Sequence, residues 1–355
     1  SMTTAPQFIS RGSFGCVYSP PLACTEERKR LEEHDQRKVG KVFSNEKYYN
    51  EEKGFYEDVF KEINADALFT PRFYKGCDVE WSNVPLKEKE KCSKNNRKFN
   101  TKKKGKQIII EHGGQSLYEI MSVSQDVPLL TEIFKNSIPL VRGILKIRDS
   151  GRIHFDIKPE NIMFSPVKKL NLIDFGLLEN LNTCYTEENI NLLTYKYSFY
   201  PIEFTFLGYS FYYKILKDID YRLFIRHFDY LNKYRKMWNT YNIQKYLYTH
   251  FDREKFLKLQ FLFSDEARFH QYGTFIDTIL SSTSLVEKMN GNVLFAYANK
   301  MFASKVDVYS LSVSVWELIM AYINIAIEFD IDVLNIKASK EFIFDILILL
   351  HKGLN

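Results

Sequence analysis

The chain has no C-x-x-C pair and no other cysteine spacing typical of zinc, which argues against a structural zinc module. Its 355 residues include only five cysteines, at positions 16, 24, 77, 92 and 184. An odd and scattered set of this kind is typical of reduced thiols in a cytosolic compartment. We therefore expect unpaired cysteines and a cytoplasmic protein.

No excess of positive or negative charge dominates the chain, whose formal net charge is +5. A balance so mild is compatible with an acidic ligand but does not require one. The strongest local excess lies at residues 87–106, where half of the residues are Lys or Arg. Such a segment either binds nucleic acid or anionic lipid, or forms a mobile, solvated loop. We favour the loop, so nucleic acid is not an expected partner.

No long apolar run is free of charged residues. The most apolar stretch, residues 306–329, is interrupted by Asp307, Glu317 and several serines. A membrane span carries few such groups, so a buried core helix is the favoured interpretation. The first residues do not resemble a signal peptide either, and we expect no membrane span.

Strand-like patterns dominate the first part of the chain and helical patterns the rest, which predicts an α+β fold. Ser44 is a good N-cap for a helix over residues 45–64. Further helices are predicted over residues 131–149 and throughout 204–303. The predicted strands lie within residues 8–18, 37–43, 73–79, 107–110, 162–164 and 170–173.

Four short motifs contain residues suited to catalysis or to the binding of phosphate and metal ions, and their order along the chain is informative. Residues 12–17 form a glycine-containing turn between strands, where backbone N–H groups can approach phosphate oxygens. The second motif is Lys41 on a strand. The third, His-Phe-Asp-Ile-Lys-Pro-Glu-Asn at 154–161, supplies an acid, a cation and an amide. The fourth, Asp-Phe-Gly at 174–176, places a carboxylate where it can hold a hard cation.

Together these motifs resemble those of the eukaryotic-type protein kinase superfamily, from the glycine-rich turn to the helix around Asp307. The resemblance implies a two-lobed fold, with a β-rich N-lobe at residues 3–110. The helical C-lobe, residues 111–355, contains a helical insert at about 204–303. It also implies an ATP- and Mg²⁺-dependent kinase of Ser and Thr in protein substrates. The linker Glu-His-Gly-Gly at 111–114 and the insert further resemble kinases of large DNA viruses, which implies a host cytoplasm or a virion.

The resemblance also assigns the nucleotide-binding residues. The glycine-rich turn covers the phosphates, with Ser10 where the family's first glycine stands, and Lys41 holds the α- and β-phosphates. Gly40 replaces the usual alanine above the adenine and gives slightly more room, while Ile110 controls the back of the pocket. Glu111 and Gly113 bond adenine through their backbone. The remaining residues assigned to nucleotide binding are Gly12, Ser13, Gly15, Val17 and Met163.

The catalytic roles are implied in the same way. Asp156 orients the substrate hydroxyl and accepts its proton, and Lys158 neutralises the γ-phosphoryl group. Asn161 and Asp174 hold magnesium. Because tyrosine kinases usually have another residue at the position of Lys158, its presence favours Ser and Thr as acceptors.

Lys41 is expected to pair with a glutamate of the helix over residues 45–64. Glu52 is favoured because Tyr56 and Val59 then share its helix face. Glu57 is the alternative, since it has the more usual separation from Lys41.

The chain departs from the family pattern at several points. Phe155 stands where an arginine usually reads a phosphate in the activation segment, which predicts activity without that phosphorylation. The segment ends Tyr-Pro-Ile-Glu at 200–203 instead of Ala-Pro-Glu. A second hypothesis is a nucleotide-binding, pseudokinase-like scaffold without turnover. A third, a small-molecule kinase, is disfavoured by the long activation segment.

Overall fold

A computed structural model describes residues 5–12, 14–25, 37–93, 104–123, 127–184, 186, 241–262, 299–300, 303–328, 344–345 and 348. The protein is mixed α/β, with β-sheet in its N-terminal half and helices later. Two compact units are present, and both are discontinuous in sequence. The first comprises residues 1–116, 135–150 and 160–178, and the second comprises 117–134, 151–159 and 179–355. This division does not follow the expected boundary after residue 110.

The first unit contains a five-stranded antiparallel sheet. In sheet order its strands are β1 (Gln7–Arg11), β2 (Gly15–Ser19), β3 (Lys38–Phe43), β5 (Gly105–Glu111) and β4 (Phe73–Val79). The strands predicted from strand-like patterns in these regions are thereby confirmed.

Strand alternation gives this sheet two faces with different surroundings. The register places Val17 opposite Lys41 and Lys41 opposite Ile108, so these three residues share one face, the front face. Their neighbours along the same strands point to the other side, which we call the cap face. Residues of the cap face include Cys16, Tyr18, Gly40, Val42 and Gln107.

The cap face is covered by residues 20–25 and 80–93, and the latter include helix α4 (Leu86–Ser93). The buried cluster between cover and sheet comprises Cys16, Tyr18, Leu22, Val42, Val79, Trp81, Val84 and Cys92. The loop predicted for 87–106 is therefore wrong at 87–93, where the burial of Cys92 against the sheet helps to stabilise a helix. Its continuation at 94–103 lies outside the described residues, and 105–106 belong to β5.

Two disulfides attach this cover to the sheet. Cys16 of β2 is bonded to Cys92 of α4, and Cys24 is bonded to Cys77 of β4. The expectation of unpaired cysteines is therefore wrong for four of the five, while Cys184 is buried and forms no disulfide. The partners are 76 and 53 residues apart, so no local spacing revealed them.

The helix that follows β3 begins one residue later than predicted and contains an irregular turn. Helix α1 (Glu46–Gly54) continues through a π-helical turn (Phe55–Val59) into α2 (Phe60–Glu62). Its N-cap is Asn45, whose side chain accepts a hydrogen bond from the N–H of Lys47. Ser44, the predicted cap, instead donates its hydroxyl to the carbonyl of Phe14 at 3.1 Å.

The first unit is completed by helices and a small sheet beside the main one. Helix α3 (Ala65–Leu68) contacts α7 (Ser137–Asp149), where Gly143 leaves room for the ring of Phe69. The small sheet has the order β6 (Gln115–Ser116), β8 (Ile162–Phe164) and β9 (Leu170–Leu172). Strands β8 and β9 confirm the two short strands predicted at 162–164 and 170–173.

The second unit is mainly helical. It contains α5 (Leu117–Val123), most of α6 (Val127–Lys135), α8 (Tyr241–His250), α9 (Arg253–Leu262) and α10 (Val306–Glu328), and β7 (Arg152–Ile153) pairs with β10 (Glu179–Asn180). The predicted helix over 131–149 is thus two helices, α6 and α7, with a turn at Asn136. The helical prediction for 204–303 holds at 241–262, and most of that range lies outside the described residues.

One helix of the described part of the chain, Ala303–Glu328, is long and apolar enough to cross a membrane. However, 67% of its most apolar window is buried inside the protein. Its buried residues include Asp307, Ser310 and Ser314, which suit a protein interior better than lipid because they form internal hydrogen bonds. The structure therefore favours the predicted core helix.

Candidate functional site

Lys41 lies between two carboxylates within the first unit. Its Nζ is 2.7 Å from Glu52 Oε2 and 2.8 Å from Asp174 Oδ1. The side chains of Lys41 and Glu52 are only 9% and 4% exposed. A buried charge is tolerated when it is paired, so this cluster fixes strand β3, helix α1 and the turn after β9 to one another.

Of the two glutamates considered as the partner of Lys41, the structure brings Glu52 to it. Glu57 lies within the π-helical turn and pairs with Lys53 instead, at 2.5 Å on a more exposed surface. The face shared by Glu52 and Tyr56 is buried, as the helical spacing of these residues predicts.

Burial and charge together set the protonation of this cluster. Burial lowers the pKa of Lys41, but the carboxylates of Asp174 and Glu52 outweigh burial and raise it above its ordinary value. Burial raises the pKa of Glu52, and the nearby ammonium opposes that rise. Lys41 therefore remains positively charged at neutral pH and can neutralise an anionic ligand.

Asp174 is positioned by its backbone and by its neighbour Phe175. Asp174 has a left-handed conformation, with φ of 62°. The preceding residue, Ile173, donates its N–H to the carbonyl of Asn161 at 3.0 Å, so Asn161 lies on the adjacent segment. The fully buried Phe175 ring packs edge-on against Phe60, with centroids 4.5 Å apart. These contacts hold the carboxylate beside Lys41.

The glycine-rich turn approaches Asp174 closely. The N–H of Gly12 donates to the carbonyl of Gly15 at 2.9 Å and closes the turn. A Cβ at Gly12 would lie 3.2 Å from Asp174 Oδ2, so a side chain there would crowd the carboxylate. Ser10 lies on exposed strand β1 and Ser13 lies outside the described residues.

Phe14, at the tip of this turn, packs between the start of α1 and Gly176. Its ring is 4.4 Å from that of Tyr48, and its carbonyl accepts hydrogen bonds from the N–H and hydroxyl of Ser44. A Cβ at Gly176 would overlap the Phe14 ring. Glycine is required at 176 by this contact. The sequence did not predict this contact between Phe14 and Gly176, because ring packing between distant residues leaves no local pattern.

Some backbone polar groups at the end of β5 and just after it form hydrogen bonds within the protein. Glu111 donates its N–H to the carbonyl of Arg72 at 2.8 Å. The carbonyl of Gly113 accepts a hydrogen bond from Asn171 Nδ2 at 3.2 Å. A Cβ at Gly113 would lie 3.1 Å from Met163 Cβ, so Met163 packs directly against this segment.

The front face carries Val17, Ile110 and Lys41, but it does not carry Gly40. A Cβ at Gly40 would overlap the amide oxygen of Gln107 on the cap face, so Gly40 cannot make room above a base on the front face. That prediction is wrong because adjacent strand residues point to opposite faces. Val39, two residues before Lys41, shares its face, and period-two alternation was the signal for it.

The second unit contains a separate acid and cation. Lys158 Nζ donates to both carboxylate oxygens of Asp156, at 2.9 and 2.8 Å, and Asp156 is 9% exposed. The N–H of Asp156 donates to His154 Nδ1 at 3.2 Å. The predicted catalytic and metal-binding residues thus form two groups. Asp156 and Lys158 belong to the second unit, and the first unit holds Lys41, Glu52, Asn161 and Asp174.

Asp307, at the start of α10, fixes the backbone that precedes Asp156. Its two carboxylate oxygens accept the N–H groups of His154 and Phe155 at 2.7 and 3.0 Å. Phe155 has φ of 68°, a left-handed conformation that is rare for a bulky residue. Burial raises the pKa of Asp307, while His154 and the two backbone bonds oppose that rise.

Replacing Asp307 with asparagine is expected to lower the free energy of unfolding by about 2–4 kcal/mol. The amide keeps one acceptor oxygen, but its NH₂ group faces the second backbone N–H and leaves a buried donor unsatisfied. Urea unfolding followed by circular dichroism measures the change. Glu328→Gln, at the exposed end of the same helix, is the matched control and should change stability by less than about 0.5 kcal/mol. Equal stability of the two variants would contradict the role of Asp307.

Asn161 and Asp174 offer an amide oxygen and a carboxylate, which are ligands suited to Mg²⁺. Within the described ranges no group of three His, Cys, Asp or Glu residues is close enough to hold a metal by itself. Mg²⁺ usually needs only one or two carboxylates when phosphates supply further ligands. The donor set therefore fits a metal bound together with a phosphate-bearing ligand.

No protein-family model matches the chain, and no curated protein shows significant similarity to it. Function is therefore inferred from the residues and their geometry.

Proposed function

We propose that this protein is a two-lobed, ATP- and Mg²⁺-dependent protein kinase that phosphorylates Ser and Thr in protein substrates. The observation that carries the proposal is the contact of Lys41 with Glu52 and Asp174, at 2.7 and 2.8 Å. A buried ammonium between an acidic helix residue and a potential metal ligand suits the binding of a triphosphate. Phosphoryl transfer requires positioning and charge neutralisation more than covalent chemistry.

In this proposal the first unit binds the nucleotide. Lys41 contacts the α- and β-phosphates, and Glu52 keeps its ammonium in place. The turn from Gly12 to Gly15 covers the phosphates with backbone N–H groups. Adenine is bound by the carbonyl of Glu111 and the N–H of Gly113, since the other backbone groups of these residues bond within the protein.

Val17, Ile110 and Met163 surround the base in this proposal. Val17 and Ile110 lie on the front face with Lys41, and Met163 packs against Gly113. Apolar walls with a few backbone hydrogen bonds are typical of small-molecule pockets. Asn161 and Asp174 hold Mg²⁺, which neutralises phosphate charge when it is bound.

Asp156 accepts the proton of the substrate hydroxyl as the oxygen attacks the γ-phosphorus. A new oxygen–phosphorus bond forms, the bond to the bridging β,γ-oxygen breaks, and its electron pair leaves with ADP. Lys158, which contacts both oxygens of Asp156, orients the carboxylate and neutralises charge on the transferred group. Asp307 keeps this loop in its conformation through the bonds to His154 and Phe155.

The proposal is tested by incubating the purified chain with γ-³²P-ATP, Mg²⁺ and casein or myelin basic protein. We expect label on Ser and Thr that disappears with EDTA and returns with excess Mg²⁺. Asp174→Asn should abolish the label, while Asp149→Asn, an exposed acid, should not. ATP binding without Mg²⁺-dependent transfer would contradict the proposal and support the scaffold hypothesis.

A further inference from the structure

We propose that helix α4 positions the glycine-rich hairpin for nucleotide binding, so that reduction of the Cys16–Cys92 disulfide weakens ATP binding. The hairpin is formed by β1 and β2, and α4 lies on the cap face behind it. This inference rests on the proposed function for its ATP readout, but the structural coupling is measurable without any activity.

The covalent link meets the hairpin next to its phosphate-binding turn. Cys16 directly follows Gly15, and its Cα is 5.9 Å from that of Cys92. Cys16 and Cys92 are both fully buried, with 0% exposure. In the register of the sheet, Cys16 lies opposite Val42 and the next residue, Val17, lies opposite Lys41. The disulfide therefore anchors the strand that carries the turn to a helix behind it.

Glu88 of α4 holds the same hairpin at two further points. Its carboxylate accepts the N–H of Phe8 in β1 at 2.8 Å, and its backbone carbonyl accepts the hydroxyl of Tyr18 in β2 at 3.1 Å. The Tyr18 ring also packs edge-on against Trp81, with centroids 5.9 Å apart. Both strands of the hairpin are thus fixed to residues 81–92 by bonds that do not involve the rest of the sheet.

The second disulfide provides an internal comparison. Cys24–Cys77 lies on the same face, but it joins the segment after β2 to β4 at the far edge of the sheet. Neither cysteine belongs to β1 or β2. Loss of this bond should therefore affect stability without specifically releasing the hairpin.

Reduction removes the covalent link between α4 and the hairpin. A dithiol such as dithiothreitol gives two electrons and two protons to Cys16 and Cys92, which become thiols, and the dithiol closes to a cyclic disulfide. The closed loop of 76 residues is then opened, and the hairpin is held to α4 and its neighbours by noncovalent contacts, which include the bonds of Glu88, the Trp81 contact and the buried cluster. A turn that spends less time in its binding conformation has a proportionally weaker apparent affinity.

The test compares wild type, Cys92→Ala and Cys77→Ala with and without dithiothreitol, using a fluorescent ATP analogue and Mg²⁺. For wild type we expect reduction to raise Kd about tenfold, as when the competent turn falls to about a tenth of the population. Cys92→Ala should show the raised Kd even when oxidised and no further response to reductant. Cys77→Ala should keep both the low Kd and the response.

Hydrogen exchange of the β1 and β2 amides supplies a readout that does not depend on kinase activity. Exchange should increase in Cys92→Ala and in reduced wild type, but not in oxidised Cys77→Ala. Glu88→Ala, which removes only a noncovalent contact, should also increase exchange in β1. This variant replaces Cys92→Ala in the test if Cys92→Ala does not fold. The inference is overturned if a thiol titration shows complete reduction and neither the exchange rates nor the Kd have changed. Faster exchange with no ATP binding in any sample would instead refute the proposed function alone.

Discussion

Asp156→Asn should reduce the rate of phosphoryl transfer by about 10³-fold, since a general base typically contributes 10² to 10⁴ in rate. Asparagine keeps the shape of the side chain but cannot accept the proton of the acceptor hydroxyl. The affinity for the ATP analogue should stay nearly constant, because the residues proposed to bind nucleotide lie in the first unit. A fall in kcat with little change in the Kd for nucleotide would identify Asp156 as catalytic.

The matched control for Asp156→Asn is Asp149→Asn. Asp149 has the same chemistry on the exposed end of α7, where its partner is the neighbouring Arg148. Its replacement should leave both the transfer rate and the stability unchanged within error. Transfer by Asp156→Asn at the rate of wild type would rule out the proposed role of this carboxylate.

The second large effect is expected for Lys41→Met, which should lower kcat/KM for ATP by at least about 10²-fold. The substitution removes the ammonium proposed to bind the phosphates, and it leaves Glu52 buried without its partner. Breaking a buried ion pair on one side costs about 3–5 kcal/mol of stability. Lys38→Met, on the same strand and over the ring of Tyr74, should change neither quantity strongly.

A double variant separates the effects of Lys41 on folding and on activity. Lys41→Met with Glu52→Gln removes both buried charges and should recover most of the lost stability without restoring transfer. Recovery of transfer would contradict the role of Lys41 in phosphate binding. Urea unfolding and initial-rate measurements on the four proteins of the cycle give both quantities.

The loss of stability with rising pH should become larger, and should begin at lower pH, in Lys41→Met than in wild type. In wild type, the raised pKa of Lys41 stabilises the folded state, and this contribution is lost only as the pH rises above 10.5. In the variant, burial still raises the pKa of Glu52, and no ammonium opposes it. The folded variant then binds a proton more tightly than the unfolded chain does. Its stability should therefore fall as the pH rises above 4.5, which urea titrations at several pH values measure.

Local pattern was enough to predict the strands of the five-stranded sheet and the glutamate that contacts Lys41. The β-rich stretch at 73–79 predicted β4, Phe73–Val79, and helical spacing favoured Glu52 over Glu57 as the partner of Lys41. Both depend on residues that are close in sequence, where side-chain period and face are fixed by backbone geometry. The prediction for Gly40 failed although its face also follows from the same alternation.

The cap face could not be predicted because its stability comes from distant contacts. A lysine-rich segment has little reason to form a helix alone, but α4 buries Cys92 and accepts bonds from Phe8 and Tyr18. The two disulfides join residues in different strands and helices, so their pairing depends on the completed sheet. Most of residues 204–303 lie outside the described parts, and their helical pattern stays a prediction.

The contact between Phe14 and Gly176 links the permitted residues at two positions that are far apart in sequence. A methyl group at 176 would occupy the space of the Phe14 ring, so alanine is acceptable there only if residue 14 becomes smaller. Phe14→Ala should therefore rescue a Gly176→Ala variant that is defective by itself. Among descendants of this chain, substitutions at the two sites should arise together or in a fixed sequence, with the smaller residue at 14 appearing first.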